Sequence, residues 1–116
     1  MKILISPAKS LDFDSTIDSL KCTQPVFLNK TSEINSVLKE KSPKDLMQLQ
    51  GISQKLSDLN WKRNNDYVDN HNDKNSRPAV FAFNGDVYSG IDVKTLSEDK
   101  VYDLQKSLRI LSGYYG

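Results

Sequence analysis

The sequence predicts a mixed α/β domain of the α+β kind, with short strands and packed helices. Three observations lead there. Apolar runs of strand length occur at Ile3 to Ile5 and in AVFAF at 79–83. Leucine and other aliphatic residues recur at spacings of three and four over 46–59 and again over 101–111, the period of one helix face. Ser42, Pro43 and Asp45 supply an N-cap, a proline at the first helical position and an acid three residues after the cap.

The elements follow in order. Lys2 to Ile5 reads as a strand ended by Ser6 and Pro7, because proline cannot donate to a ladder. A loop through Ala8, Lys9 and Ser10 comes next. A helix is expected from Thr31 or Ser32 to about Lys41, with Ile34, Val37 and Leu38 on one face and Lys39 and Lys41 complementing the dipole. The Ser42 signal opens the next helix, where Leu46, Leu49, Ile52, Leu56 and Leu59 form a stripe broken by a turn at Gly51. Residues 64–78, NNDYVDNHNDKNSRP, are rich in Asn and Asp, which bond their own backbone, so an exposed loop is expected. AVFAF reads as a central strand buried on both faces and NGDVYSG as the loop leaving it. Thr95 to Glu98 open a last helix carrying Val101, Leu104, Leu108 and Leu111, and SGYYG is expected to return to the sheet. Since LRILSGYYG at 108–116 has the character of a buried element that wants a neighbouring strand, the domain is expected to be incomplete.

Composition narrows the function classes. With 37% apolar and 27% charged residues the chain has the balance of a water-soluble globular protein. No run approaches the roughly 20 apolar residues of a membrane helix, and Pro7 interrupts MKILISPAK too early for a secretion signal, so a cytoplasmic location and no membrane partner are expected. One cysteine, Cys22, allows no internal disulfide. Residues 1–63 carry 10 basic against 7 acidic side chains and residues 64–116 carry 6 against 8, a tilt too small to name a nucleic-acid partner by itself. There is no Walker loop, dinucleotide-binding glycine motif, zinc spacing or nucleophile elbow, so no cofactor and no metal is expected. His71 lies between Asp69 and Asp73, an oxygen-rich spacing that can attract a cation, but a solvated loop histidine is the simpler reading.

Two places can carry chemistry. In DLMQLQGISQKLSDL, residues 45–59, two leucine-patterned helices flank a short turn, a helix-hairpin-helix pattern. Gly51 would let the backbone approach a DNA phosphate, the N–H groups behind Ser53 would point at the anion, and Lys55, Lys62 and Arg63 would add contacts. Ser53 stands where a second glycine is usual and Gln50 where proline is common, so an ordinary helical hairpin is the competing reading. The second place pairs Lys9 with Asp86, each just beyond an expected strand. Loops at strand carboxyl ends line the crevice of a parallel sheet, so the amine and carboxylate can share a cleft, or close the sheet edge as an ion pair. Asp12 and Asp14 add carboxylates near the same loop.

ISPAKSLDF at 5–13, FNGDVYSG at 83–90 and LRILSGYYG at 108–116 resemble, in order and spacing, the signature segments of the YaaA peroxide-stress protein family. LMQLQGISQKLSDLN resembles the segment in which that family carries its helix-hairpin-helix element. The resemblance covers nearly the whole chain apart from the Asn-rich loop, and it identifies residues 1–116 as the N-terminal part of a single YaaA-like domain, members being about twice this long. It implies a cytosolic protein that protects against hydrogen peroxide stress, is associated with less unincorporated iron, and binds DNA through the hairpin and a basic cleft. Gly51, Ile52 and Ser53 carry over as the hairpin, and Lys9 and Asp86 as cleft residues. The expected function is therefore DNA-backbone binding with weak sequence preference. The alternatives are a nucleic-acid-processing enzyme using Lys9 and Asp86 and, least supported with a single histidine, direct iron sequestration. No feature of the sequence sets an oligomeric state.

Overall fold

The computed structural model describes residues 1–18 and 21–116. The mixed α+β class holds: the described residues form six α-helices and four strands of two or three residues. The chain forms two compact units. The first takes Met1–Gln24, Asn72–Tyr114 and Gly116, and the second takes Pro25–His71 with Tyr115.

In the first unit, β1 (Ile3–Ile5) pairs in parallel with β4 (Leu108–Ile110), Ile3 opposite Leu108 and Ile5 opposite Ile110. The Leu111 amide extends the ladder by donating to the Ile5 carbonyl at 3.0 Å. A second ribbon joins β2 (Ser10–Leu11) antiparallel to β3 (Phe83–Asn84). The expected single sheet is thus two separate two-stranded pieces.

AVFAF is not a central strand. Residues Ala79–Ala82 form α4, a single turn in which the Phe81 and Ala82 amides donate to the Pro78 carbonyl, and only Phe83 continues into β3. A continuous apolar run reads alike for a buried strand and a buried helical turn, and Phe81 and Ala82 do lie in the core. NGDVYSG is not a loop either: Asp86–Ile91 form α5, entered through Gly85 at φ 138° and left through Asp92 in the left-handed region. Tyr88 of α5 is buried against Phe83, and its hydroxyl donates to the Ser6 carbonyl at 2.6 Å. A 3-10 turn at Val93–Thr95 leads to α6 (Glu98–Ser107), whose first turn carries Glu98 and Asp99 and whose last carries Lys106, complementing the dipole. The helix stops before Leu108, where strand pairing with β1 overrides the leucine period, and SGYYG forms a turn rather than a strand.

The second unit is helical. Helix α1 (Leu28–Lys39) begins three residues before Thr31. The Phe27 carbonyl accepts from both the Thr31 amide and its hydroxyl, so the group that resembled a cap is used inside the first turn, fully buried. Helices α2 (Pro43–Gln50) and α3 (Gln54–Asp66) pack on each other, and α3 also packs on α1. Of the expected leucine stripe only Leu46 is fully buried. Leu49 is 67% and Leu59 43% exposed, because the turn at Gly51 changes the direction of the chain and breaks the common face. The Asn-rich segment is helical through Asp66, and its Tyr67, His71 and Arg77 are half-buried, so 64–78 is not a uniformly exposed loop. Among the described residues no helix is long and apolar enough to cross a membrane.

Candidate functional site

The turn between α2 and α3 is built by local chemistry. Ser42 and Asp45 form a capping box: the Ser42 hydroxyl accepts from the Asp45 amide at 3.2 Å, and the Asp45 carboxylate accepts from the Ser42 amide at 2.9 Å. The Ser42 hydroxyl also donates to the same carboxylate at 2.7 Å, and this bond first, then the one from the Ser42 amide, holds the Asp45 carboxyl below its usual range. Helix α2 ends on Gly51 at φ 60°, ψ 41°, a left-handed conformation that glycine adopts without a Cβ penalty. Ser53 is extended, and its hydroxyl accepts from the Leu56 amide at 3.3 Å while its carbonyl accepts from Ser57. Gly51, Ile52 and Ser53 are thus the whole connection, and the amides of Gln54 and Lys55 are the first two of α3, which make no intrahelical bond.

Charge around this turn is basic but unequal. No acid stands in the first turn of α3, and Lys55 is exposed there. Lys62 lies two helical turns on and pairs with Asp66. Arg63 is half-buried, donates to the Asn60 side-chain carbonyl at 3.4 Å, and has its pKa pushed down by burial. Of the three cations Lys55 is the best placed for an anion at the turn.

Lys9 and Asp86 come to the same end of the β2–β3 ribbon. Register sets Ser10 opposite Asn84, so Lys9 precedes one strand where Gly85 and Asp86 leave the other. Both side chains are exposed, and among the described residues neither enters an ion pair. A Cβ on Gly85 would lie 3.8 Å from that of Ala8, ordinary contact distance.

Sequence reasoning missed the cluster on Asp12. Its Oδ1 accepts from the Asp14 and Ser15 amides at 3.0 and 2.9 Å, an Asx turn. Lys94 reaches its Oδ2 at 2.9 Å and the Ser15 hydroxyl at 2.8 Å. The Arg77 guanidinium lies 4.0 Å from Oδ1 and donates to the carbonyls of Phe13 and Ser15. Donation from the Ser15 hydroxyl and amide, then from Lys94, holds the Asp12 carboxyl far below its ordinary range. The spacing of Asp12 and Ser15 signalled the turn, but nothing local signalled two cations more than sixty residues away.

His71 is no solvated loop histidine. It is half-buried and meets two aromatic rings edge-on, Tyr67 with ring centroids 5.4 Å apart and Tyr115 at 5.7 Å. Among the described residues no group of three His, Cys, Asp or Glu side chains is placed to share a metal ion.

The family model described as peroxide stress protein YaaA matches residues 1–116. The chain is 48% identical over all its 116 residues to UPF0246 protein FP0718 of Flavobacterium psychrophilum, covering 46% of that protein. It is equally similar to a UPF0246 protein of Flavobacterium johnsoniae, and 43% identical to one of Hahella chejuensis, covering 45% of the latter. The chain therefore spans about half the length of the curated relatives it matches. Matched over its full extent, the chain belongs to the YaaA peroxide stress protein family.

Proposed function

We propose that this chain binds the DNA backbone through the turn Gly51–Ile52–Ser53, with weak sequence preference, and that it contributes in this way to protection against iron-driven oxidative damage. In this reading α2, the turn and α3 form a helix-hairpin-helix element. The observation that carries it is the left-handed Gly51 followed directly by the Ser53-capped start of α3. Together they leave the first amides of α3, with their partial positive charge, next to a tight turn and place the exposed Lys55 in that same first turn. Lys62 can join by exchanging Asp66 for a phosphate, and Arg63 contributes less because it is half-buried. Membership in a peroxide stress protein family supports the protective role, and a cytoplasmic site of action is part of the same proposal.

The test is fluorescence anisotropy of a labelled duplex titrated at low and moderate salt. Neutralising two or three phosphates gives a slope of log Kobs against log salt of about −2 to −3. Gly51→Val, which cannot hold the left-handed turn cheaply, should weaken binding in a chain that remains folded. Absence of binding by the folded wild-type chain would refute the proposal.

A second reading makes the chain a nucleic-acid-processing enzyme in which Lys9 attacks or stabilises and Asp86 assists as a base. Its support is the β2–β3 register, which brings the two residues to one end of the ribbon. Loss of product formation in Lys9→Ala with DNA binding intact would favour it, and unchanged product formation would remove it.

A further inference from the structure

The Tyr67, His71 and Tyr115 cluster has no part in the hairpin reading, yet it joins two phenols to one imidazole. The Tyr115 hydroxyl lies 3.2 Å from Nε2 of His71, within hydrogen-bond range. Tyr67 meets the same ring edge-on, with planes at 88°. All three side chains are half-buried: Tyr67 and His71 follow α3 at the end of the Pro25–His71 segment, while Tyr115, which belongs to the same unit, comes from the turn at 113–115.

A phenol gives up an electron far more readily when its proton leaves at the same time, because the phenol radical cation is a strong acid. Neutral imidazole is the side chain suited to take a proton near pH 7. Burial and the neighbouring Tyr67 push the Tyr115 pKa up to about 12, so the phenol stays protonated at neutral pH and depends on an adjacent base. We infer that Tyr115 is a one-electron oxidation site whose phenolic proton passes to Nε2 of His71, so that the pair collects oxidising equivalents from peroxide-derived radicals.

An oxidant of the hydroxyl-radical class takes one electron from Tyr115 and becomes hydroxide. The O–H bond of Tyr115 breaks, its proton goes to His71 Nε2, and a neutral phenoxyl radical and an imidazolium result. The imidazolium returns its proton to hydroxide, giving water, and a small thiol restores the phenol by donating a hydrogen atom. The membership of the chain in a peroxide stress family supplies the oxidant class, and the inference stands or falls separately from DNA binding.

The experiment is flash photo-oxidation of the full 116-residue chain with a ruthenium tris-bipyridine complex and a sacrificial acceptor, read by rapid-freeze EPR. A tyrosyl signal should form in the wild type and be largely lost in Tyr115→Phe, although Tyr88, Tyr102, Tyr114 and Tyr67 remain. His71→Gln should slow its formation about 100-fold, the lower end of what a positioned base supplies. Added imidazole should restore the rate in His71→Ala. A tyrosyl signal undiminished in Tyr115→Phe, or an unchanged rate in a folded His71→Gln, would overturn the inference. The wild type alone provides a check that needs no variant to fold: its rate should fall in heavy water, and equal rates in light and heavy water would overturn the coupled proton transfer.

Discussion

Replacing Gly51 isolates the cost of one backbone conformation. The residue sits at φ 60°, and a Cβ built there would meet no atom within 4 Å, so no steric clash accompanies the change. Gly51→Ala should therefore cost only the left-handed penalty of an L-residue, about 1–2 kcal/mol. That corresponds to a shift of roughly 5- to 30-fold in the unfolding equilibrium. Gly51→Asn should cost clearly less, since asparagine tolerates this region, and Gly51→Val should cost more, since branching at Cβ crowds the backbone. Urea denaturation followed by circular dichroism at 222 nm measures the series, with the midpoint moving and the slope unchanged if only native-state stability is affected. The reasoning fails if alanine is as stable as glycine, or if asparagine and valine are equally damaging, because either result would mean that the left-handed turn is not what the position requires.

Other expectations can be checked on the same chain. Asp12 is ionised far below its ordinary range when folded, so the stability it contributes is present above its unfolded pKa of about 3.8 and is lost as the pH falls from there toward its depressed folded value. Acid titrations of wild type and Asp12→Asn should diverge above that window and converge within it, and parallel curves would contradict the assignment. Leu46→Ala should cost about 2–5 kcal/mol because Leu46 is fully buried. Leu49→Ala, at a position 67% exposed, should stay within about 0.5 kcal/mol, and equal losses would contradict the packing described. Lys55→Gln should lower DNA affinity and reduce the salt slope by about 1, whereas Lys62→Gln, which also releases Asp66, should do less. Anisotropy at several salt concentrations distinguishes them.

What the sequence disclosed was the local part of this structure. Ser42, Pro43 and Asp45 announced α2 because a capping box is written within four residues, and Gly51 announced its end for the same reason. The candidate hairpin was legible on those grounds. AVFAF was misread because periodicity cannot separate a strand from one buried helical turn, and only the Pro78 carbonyl, accepting from Phe81 and Ala82, decides between them. The stop of α6 at Ser107 depends on β1, which no local pattern near residue 108 encodes. The same distance hid the cations around Asp12 and the second tyrosine beside His71, since such contacts are fixed by the fold and not by spacing. Lys9 and Asp86 were paired on an assumed parallel sheet, and an antiparallel ribbon brings them to one end instead.

The register of Ile3 with Leu108 has a consequence for how the chain reaches its native state. Strand β1 emerges from synthesis about a hundred residues ahead of its partner, Ile3 against Leu108, with the entire helical unit lying between them in the sequence. Until then its apolar residues, of which Ile3 and Leu4 remain 43% and 62% exposed even when paired, have no ladder to join. A pairing of such high contact order is entropically late, whereas the contiguous helices of Pro25–His71 close short loops and can form early. Folding yield should accordingly be limited by protein concentration during the wait for β4, with the helical signal recovering ahead of the β1–β4 contact.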